Sequence, residues 1–322
     1  MSLPHPSPKS LAASGTHSSA ATAEPSRSAV VTRLRAAGCV FAEDEAALLI
    51  AAAPTPDDLA TLVERRAAGH PLEHVLGWAE FGGLRIAVDP GVFVPRRRTE
   101  FLLGQAVALG RRLSGRTGRH IVAVDLCCGS GAVGAALAAA LGGVELHACD
   151  IEPAAVRCAR RNVAAAGGLV HEGDLFAPLP VHLRGRIDVL TANVPYVPTE
   201  EVGLLPPEAR EHEPLVALDG GADGLDVLRR VTAAAPRWLA PGGHLLVETG
   251  ERQAARAVET FRRGGLIPRV AASDELYATV VIGTRPPDPT RPTGTPHPTG
   301  TPHPTGTTDP TGTTDPTGTK AA

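Results

Sequence analysis

"IVAVDLCCGSGAVGAALAAALGGVELHACD" (residues 121–150) decides the fold. An apolar run rich in β-branched residues passes through Asp125 and opens into Gly129-Ser130-Gly131, with Gly134 three residues on. An Ala-rich stretch follows, then a second apolar run that stops at Asp150. Strand, glycine loop, helix and strand in that order make a βαβ unit, and the glycine spacing matches a nucleoside-cofactor loop. Working outward, the alternation continues. "EPAAVRCARRNVAAAG" (152–167) reads as a helix, "LVHEGD" (169–174) and "RIDVLTANVPY" (186–196) as strands with their exits. "GGHLLVETG" (242–250), a helix over 251–263, "LIPRV" (266–270) and "YATVVIG" (277–283) complete the series. Strands alternating with helices predict a parallel, doubly wound α/β sheet, whose ligands bind beyond the carboxyl ends of the strands.

Upstream, "AVVTRLRAAG" (29–38), "DEAALLIAAA" (44–53) and "TPDDLATLVERRAAG" (55–69) carry apolar residues at helical spacing. "FGGLRIAVDPGVFVPR" (81–96) alternates around Asp89-Pro90-Gly91, which predicts a hairpin turning there. The expected organisation is a disordered segment at 1–27, a helical domain at 28–78, a linking hairpin at 79–95, an α/β domain at 96–284, and a disordered tail at 285–322. The tail repeats Thr-Gly-Thr-Pro-His-Pro and then Thr-Gly-Thr-Thr-Asp-Pro, a polar period that cannot bury a core. His297 and His303 lie in it and read as solvated repeat.

Composition narrows the partners. The 322 residues are 43% hydrophobic with a formal net charge of −3 and no block of like charge, which disfavours nucleic acid as the direct ligand. Five cysteines are an odd count, four of them in expected core elements, as in a reduced cytoplasmic protein. No apolar stretch long enough to span a membrane and no apolar signal core are present. Adjacent Cys127 and Cys128 read as small residues at a crowded strand end, because metal sites space their cysteines. His70 and His74 have i, i+4 spacing on an expected helix but no third ligand, so no metal is expected.

The glycine loop alone does not separate NAD from S-adenosylmethionine. Asp125 and Asp174 favour the latter. A carboxylate at Asp125 can take loop amides and bear on a cationic amino group or sulfonium. Asp174, closing the third strand, suits an adenine amino group, with Leu175 or Phe176 lining the ring. Asp150 suits ribose hydroxyls. The fourth strand delivers Asn193-Val194-Pro195-Tyr196 to the same edge. Pro195 holds Val194 extended and fixes its own φ. The stiff corner presents the Asn193 side-chain oxygen and neighbouring carbonyls in one direction, which is what an –NH2 group needs, and Tyr196 can cover a planar group. Arg96, Arg97 and Arg98 could meet an acidic part of a substrate, and Glu100 could brace the cofactor loop.

At this point the chain resembles the HemK/PrmC family of protein-(glutamine-N5) methyltransferases over roughly residues 30–284. The resemblance rests on "HPLEHVLGWAEFGGLRIAVDPGVFVPRRRTE" (70–100), "DLCCGSGAVG", Asp150, "GDLF", "NVPYVP" and "EHEPLVALDGGADGLD" (211–226), in that order. It implies a class I S-adenosylmethionine-dependent methyltransferase with a seven-stranded sheet, plus a small helical N-terminal domain that helps to bind a protein. It implies cofactor contacts at Cys127, Cys128, Gly129, Ser130, Gly131, Asp150 and Leu175, and substrate contacts at Asn193, Val194, Pro195 and Tyr196. The family's substrates include peptide chain release factors, modified on the glutamine of a Gly-Gly-Gln loop. Two positions depart from the family pattern. Val194 stands where the family has proline and should put a branched side chain at the pocket or its rim. Cys127 stands where the family has glycine, and narrows the backbone approach unless its φ is negative. Competing readings are methylation of an exocyclic base amine, an NAD-dependent oxidoreductase resting on the glycine spacing alone, and an inactive binding module.

Overall fold

The computed structural model describes residues 26–287. Of the ends expected to be disordered, 1–27 and 285–322, residues 1–25 and 288–322 lie outside the described residues, together with His297 and His303. Ser26 caps the first helix, Arg27 opens it, and the Arg285 N–H pairs with the Gly243 carbonyl, so the ordered part reaches slightly further than expected. Four helices come first: α1 (Arg27–Ala36), α2 (Ala42–Ala52), α3 (Pro56–Ala67) and α4 (Leu72–Leu76). Thr55 caps α3, its hydroxyl accepting from the Asp58 N–H at 3.2 Å, with Pro56 opening the helix. Leu34, Leu49, Val63 and Val75 fill a small core between these helices.

The hairpin is present, but its turn is not the expected one. Strand β1 (Trp78–Phe81) pairs antiparallel with β2 (Leu84–Ala87) around Gly82-Gly83. Both glycines have positive φ, 57° and 75°, as a two-residue hairpin turn demands. Asp89-Pro90-Gly91 makes a separate turn after β2, closed by the Val92 N–H on the Asp89 carbonyl at 3.1 Å, and no strand follows it.

The remaining elements are α5 (Glu100–Thr117), β3 (Val122–Leu126), α6 (Ala132–Leu141), β4 (Glu145–Asp150), α7 (Pro153–Val163), β5 (Leu169–Glu172), β6 (Ile187–Ala192), α8 (Pro207–His212), α9 (Asp226–Trp238), β7 (Leu239–Thr249), α10 (Ala254–Arg263), β8 (Ile267–Ser273) and β9 (Ala278–Thr284). Seven strands form one sheet in the order β5-β4-β3-β6-β7-β9-β8. Neighbours are parallel from β5 through β7, but β9 runs antiparallel to both β7 and β8. The doubly wound seven-stranded sheet is the expected one, and it departs from parallel only at β9, because β8 returns directly into β9 and a connection that short cannot make a crossover.

Both faces of the sheet are covered, so β3 and β6 are buried end to end. Ala123 faces a core with Leu102, Ala106 and Ala136, while Val122, Val124 and Leu126 face another with Leu228, Val231 and Phe261. The chain runs outward from β3 through β4 to β5, then returns to β6 on the other side of β3. That reversal opens a crevice at the carboxyl ends of β3 and β6. No helix among the described residues is long and apolar enough to cross a membrane.

Candidate active site

A cavity of about 560 Å³ fills the crevice. Its walls bring together Cys127, Cys128, Gly129, Ser130, Asp150, Asp174, Leu175, Asn193, Val194, Pro195 and Tyr196, nearly the whole set read from the sequence. Each comes from the carboxyl end of a strand. The exit from β3 is tight. Cys127 has φ 52°, Gly129 55° and Gly131 79°, all left-handed. Cys127 is therefore a side-chain-bearing residue in a conformation that favours glycine, and the negative φ that would spare the approach is not adopted. Gly131 is needed for space as well, since a Cβ there would stand 3.0 Å from the Ala159 methyl.

The carboxylates organise this loop from below. Asp150 accepts from the Gly129 N–H at 2.8 Å and from the Glu152 N–H at 2.9 Å. A carboxylate has about four acceptor sites, so some capacity remains, and the group lies on the cavity wall. Burial raises its pKa, while these amide bonds oppose the rise. Asp125 sits elsewhere than expected. It is 2% exposed and absent from the cavity lining, accepting from the Gly134 N–H at 3.0 Å and the Thr191 hydroxyl at 2.8 Å. It ties α6 and β6 to β3 from behind the loop. Burial pushes its pKa up to about 7, against those two hydrogen bonds. Asp174 lines the cavity, with its carboxylate paired to Arg230 of α9. Leu175 also has positive φ, 50°, and Phe176 turns inward to stack on Trp238. The thiols of Cys127 and Cys128 are unpaired, and burial raises both pKa values well above the ordinary one, so neither is a ready nucleophile or metal ligand.

The exit from β6 is held by its surroundings. The Val197 N–H donates to the Leu218 carbonyl, and the Gly220 N–H donates back to the Val197 carbonyl at 2.8 Å. Gln253 donates to the carbonyls of Tyr196 and Asp223. The glycines of "LDGGADG" now have a reason. A Cβ on Gly220 would lie 2.7 Å from the Pro195 carbonyl oxygen, and one on Gly224 would lie 2.3 Å from that of Tyr196. Val194 lines the cavity, as expected, but it is 2% exposed and is also a member of the core cluster that holds Leu126 and Val247. Among the described residues, no hydrogen bond reaches the Asn193 side chain or the Val194 carbonyl. Tyr196 is tethered at its far end. Its hydroxyl meets Arg98 and lies 3.5 Å from Glu248 Oε1, while Arg98 Nε donates to the same carboxylate oxygen at 2.8 Å. Burial pushes the phenol up to about 12.

Several expectations around the site need correction. Arg96 is not offered to a partner protein. It donates to both oxygens of buried Glu213, which also accepts the Val94 N–H. Arg98 is engaged as described. Glu100 braces the hairpin turn through the Gly82 N–H at 2.9 Å, and not the loop after β3. His70 precedes α4 and its ring lies tilted against that of His212, while His74 is buried with Nε2 against the Val92 carbonyl, so they do not share a helical face. Glu213, Glu248 and Gln253 were not singled out from the sequence. Each pairs with residues at least 30 positions away in the chain, so local sequence does not reveal the contact.

Comparison with known proteins agrees with this geometry. Residues 84–203 match the methyltransferase small domain family. The chain is 40% identical to the release factor glutamine methyltransferase of Geobacter sulfurreducens over 71% of this chain and 79% of that one. It is 40% identical to the enzyme of the same name from Mycolicibacterium smegmatis, over 72% and 82%. It is also 37% identical, over 66% and 73%, to a 4-amino-L-phenylalanine/4-methylamino-L-phenylalanine methyltransferase of Streptomyces pristinaespiralis. With a class I methyltransferase sheet, a cavity at its switch point and relatives of that identity and coverage, the chain belongs to the release factor glutamine methyltransferase family.

Proposed function

We propose that the protein is a cytoplasmic S-adenosylmethionine-dependent enzyme that methylates a glutamine side-chain amide nitrogen in a protein, with a peptide chain release factor as the candidate. The observation that carries this reading is that Asn193 and Val194 line the cavity while, among the described residues, no hydrogen bond reaches the Asn193 side chain or the Val194 carbonyl. The cavity residues suit the cofactor. Asp150 has lone pairs for a ribose, Ile151, Leu175 and Val227 offer apolar surface to a base, and the loop amides and the start of α6 suit a carboxylate. Asp174 is reached by a base amine only if it shares its carboxylate with Arg230. When bound, S-adenosylmethionine supplies an electrophilic methyl on a sulfonium.

The remaining chemistry falls to this chain. An amide nitrogen is a weak nucleophile because its lone pair is delocalised. Two acceptors that take both N–H hydrogens hold the –NH2 in one orientation and turn lone-pair density toward the methyl donor. Pro195 keeps the two acceptors in register, and Tyr196, fixed at its hydroxyl by Arg98 and Glu248, covers the planar group. The excess proton leaves after transfer, so no base is required before it. The helical segment 28–78 is the substrate-recognition part. Supporting this, Arg66 of α3 donates to Glu45 and to Glu208 of α8, and Glu208 lines the cavity.

A second reading follows from the 4-amino-L-phenylalanine relative: an acceptor pair of this kind serves any –NH2 on a planar carrier. The test is incubation with methyl-labelled S-adenosylmethionine and either a release factor, the same factor with its loop glutamine changed to alanine, or 4-amino-L-phenylalanine. Label on the intact factor alone supports the first reading. Label on the small amine alone replaces it.

A further inference from the structure

At the opposite end of the sheet from the cavity lies a second chemical cluster. Glu145 opens β4 and Asp150, on the cavity wall, closes it. Strand alternation puts Glu145 and His147 on one face, and β5 adds His171 beside them. The turn Val181–Leu183, between β5 and β6, lays His182 over the same spot, anchored by fully buried Leu183. Glu145 Oε1 lies 3.5 Å from His147 Nε2 and 3.8 Å from His182 Nε2. One ligand atom from each of the three residues falls within 4.8 Å of the other two. A tetrahedral zinc ion with bonds of roughly 2.0–2.1 Å spaces its ligands roughly 3.3–3.5 Å apart, so two of the three edges are already near that length.

The neighbours sort the atoms for such a role. Arg186 occupies the other Glu145 oxygen, Oε2, at 3.2 Å, which leaves Oε1 facing the two imidazoles. His147 Nδ1 meets His171 Nε2 at 2.9 Å, and one of the two must donate. If His147 donates, its Nε2 is a bare lone pair aimed at a carboxylate oxygen. In that tautomer the contact calls for a cation between them, whereas with His171 donating instead the same Nε2 carries a proton and donates to Glu145. A metal-bound histidine with its other nitrogen donating to a neighbour has this arrangement.

We propose that Glu145, His147 and His182 bind one divalent transition-metal ion of the zinc type, with His171 setting the His147 tautomer and water in the fourth position. The ion would fasten the turn at 181–183 to β4, and so stiffen the chain between Leu175 on the cavity wall and β6. The site is structural and lies apart from methyl transfer.

The test uses the full chain, stripped with a chelator, titrated with Zn2+ against a chromophoric competitor and with Co2+ for its visible spectrum. His182 is 59% exposed, so His182→Ala should fold normally and melt with the unaltered chain in EDTA. It should bind one Zn2+ fewer per chain, as should Glu145→Gln. Zn2+ held a hundredfold above its Kd should raise the Tm of the unaltered chain by roughly 5–10 °C and leave His182→Ala unmoved. Metal held by other histidines or by cysteines cancels in this difference. Equal metal counts in the unaltered chain and both variants, or a Co2+ spectrum identical in all three, would overturn the proposal.

Discussion

The two strand exits that meet at the cavity use their hydrogen bonds in opposite ways. After β3, the side chains of Asp125 and Asp150 already take backbone amides and a hydroxyl of the protein itself. After β6, the backbone of 196–197 is clamped by Leu218, Gly220 and Gln253, while Asn193 Oδ1 and the Val194 carbonyl are left open. The first exit is a shaped cradle whose polar groups hold the cradle together. The second is a rigid mount that withholds a few acceptors from the fold. A binding surface needs shape, and methyl transfer to a weak nucleophile needs free acceptors already in place.

The sharpest way to break the contrast is to remove a free acceptor. Asn193→Ala should lower methyl transfer by roughly a hundred- to a thousandfold, about 2.7–4 kcal/mol, while S-adenosylmethionine affinity stays within a fewfold. Single-turnover kinetics beside calorimetry separate the two, and an equal loss of both would mean that Asn193 serves the cradle. Next in size, Gly224→Ala drives a methyl into the Tyr196 carbonyl at a residue of φ 74°. It should cost about 2–3 kcal/mol in urea unfolding and lower kcat as the mount shifts.

The tether of Tyr196 gives an asymmetric pair. Glu248 is buried, with Oε2 unpartnered, whereas Arg98 is about half exposed. Arg98→Ala strands a buried carboxylate and should cost about 2–3 kcal/mol, but Glu248→Gln leaves an arginine that water can solvate and should cost about 1. Equal losses would show that the pair acts only through packing.

On the cradle side the lever is pH. Asp125 binds its proton more tightly folded than unfolded, since its folded pKa is about 7 against an ordinary 3.8. Its contribution to stability is full below pH 4 and is lost as pH rises through 7, at no more than about 1.4 kcal/mol per pH unit. Asp125→Asn should flatten that decline in chemical-denaturation curves taken between pH 4 and 8. The smallest effect is expected of Cys127→Gly, which removes a side chain from a left-handed residue. A gain of up to about 1 kcal/mol is expected, with cofactor affinity unchanged or higher.

The parts legible in the sequence are those written within a few residues of one another. The run from Val122 through Gly134 carries its own period and its own turn glycines, and Asp150 ends a strand that alternation alone announces. The Asn-Val-Pro-Tyr corner was visible because proline punctuates a strand end. What stayed hidden depends on distant pairing. The direction of β9 is set by its hairpin with β8, and the true turn glycines of the first hairpin were masked by a stronger-looking Asp-Pro-Gly. Arg96 and Arg98 read as charges for an acidic partner, and Glu100 as a brace for the cofactor loop, because nothing nearby in sequence reveals Glu213, Glu248 or Gly82 as their partners.

Val194 carries one last consequence. Its side chain belongs to the core cluster that also holds Leu126 and Val247, and the residue as a whole borders the cavity. A change of side chain here therefore bears first on the volume of the core and on the extended backbone that Pro195 imposes. The carbonyl between Asn193 and Pro195 is common to every residue type, so its acceptor would outlast an exchange that the core tolerates.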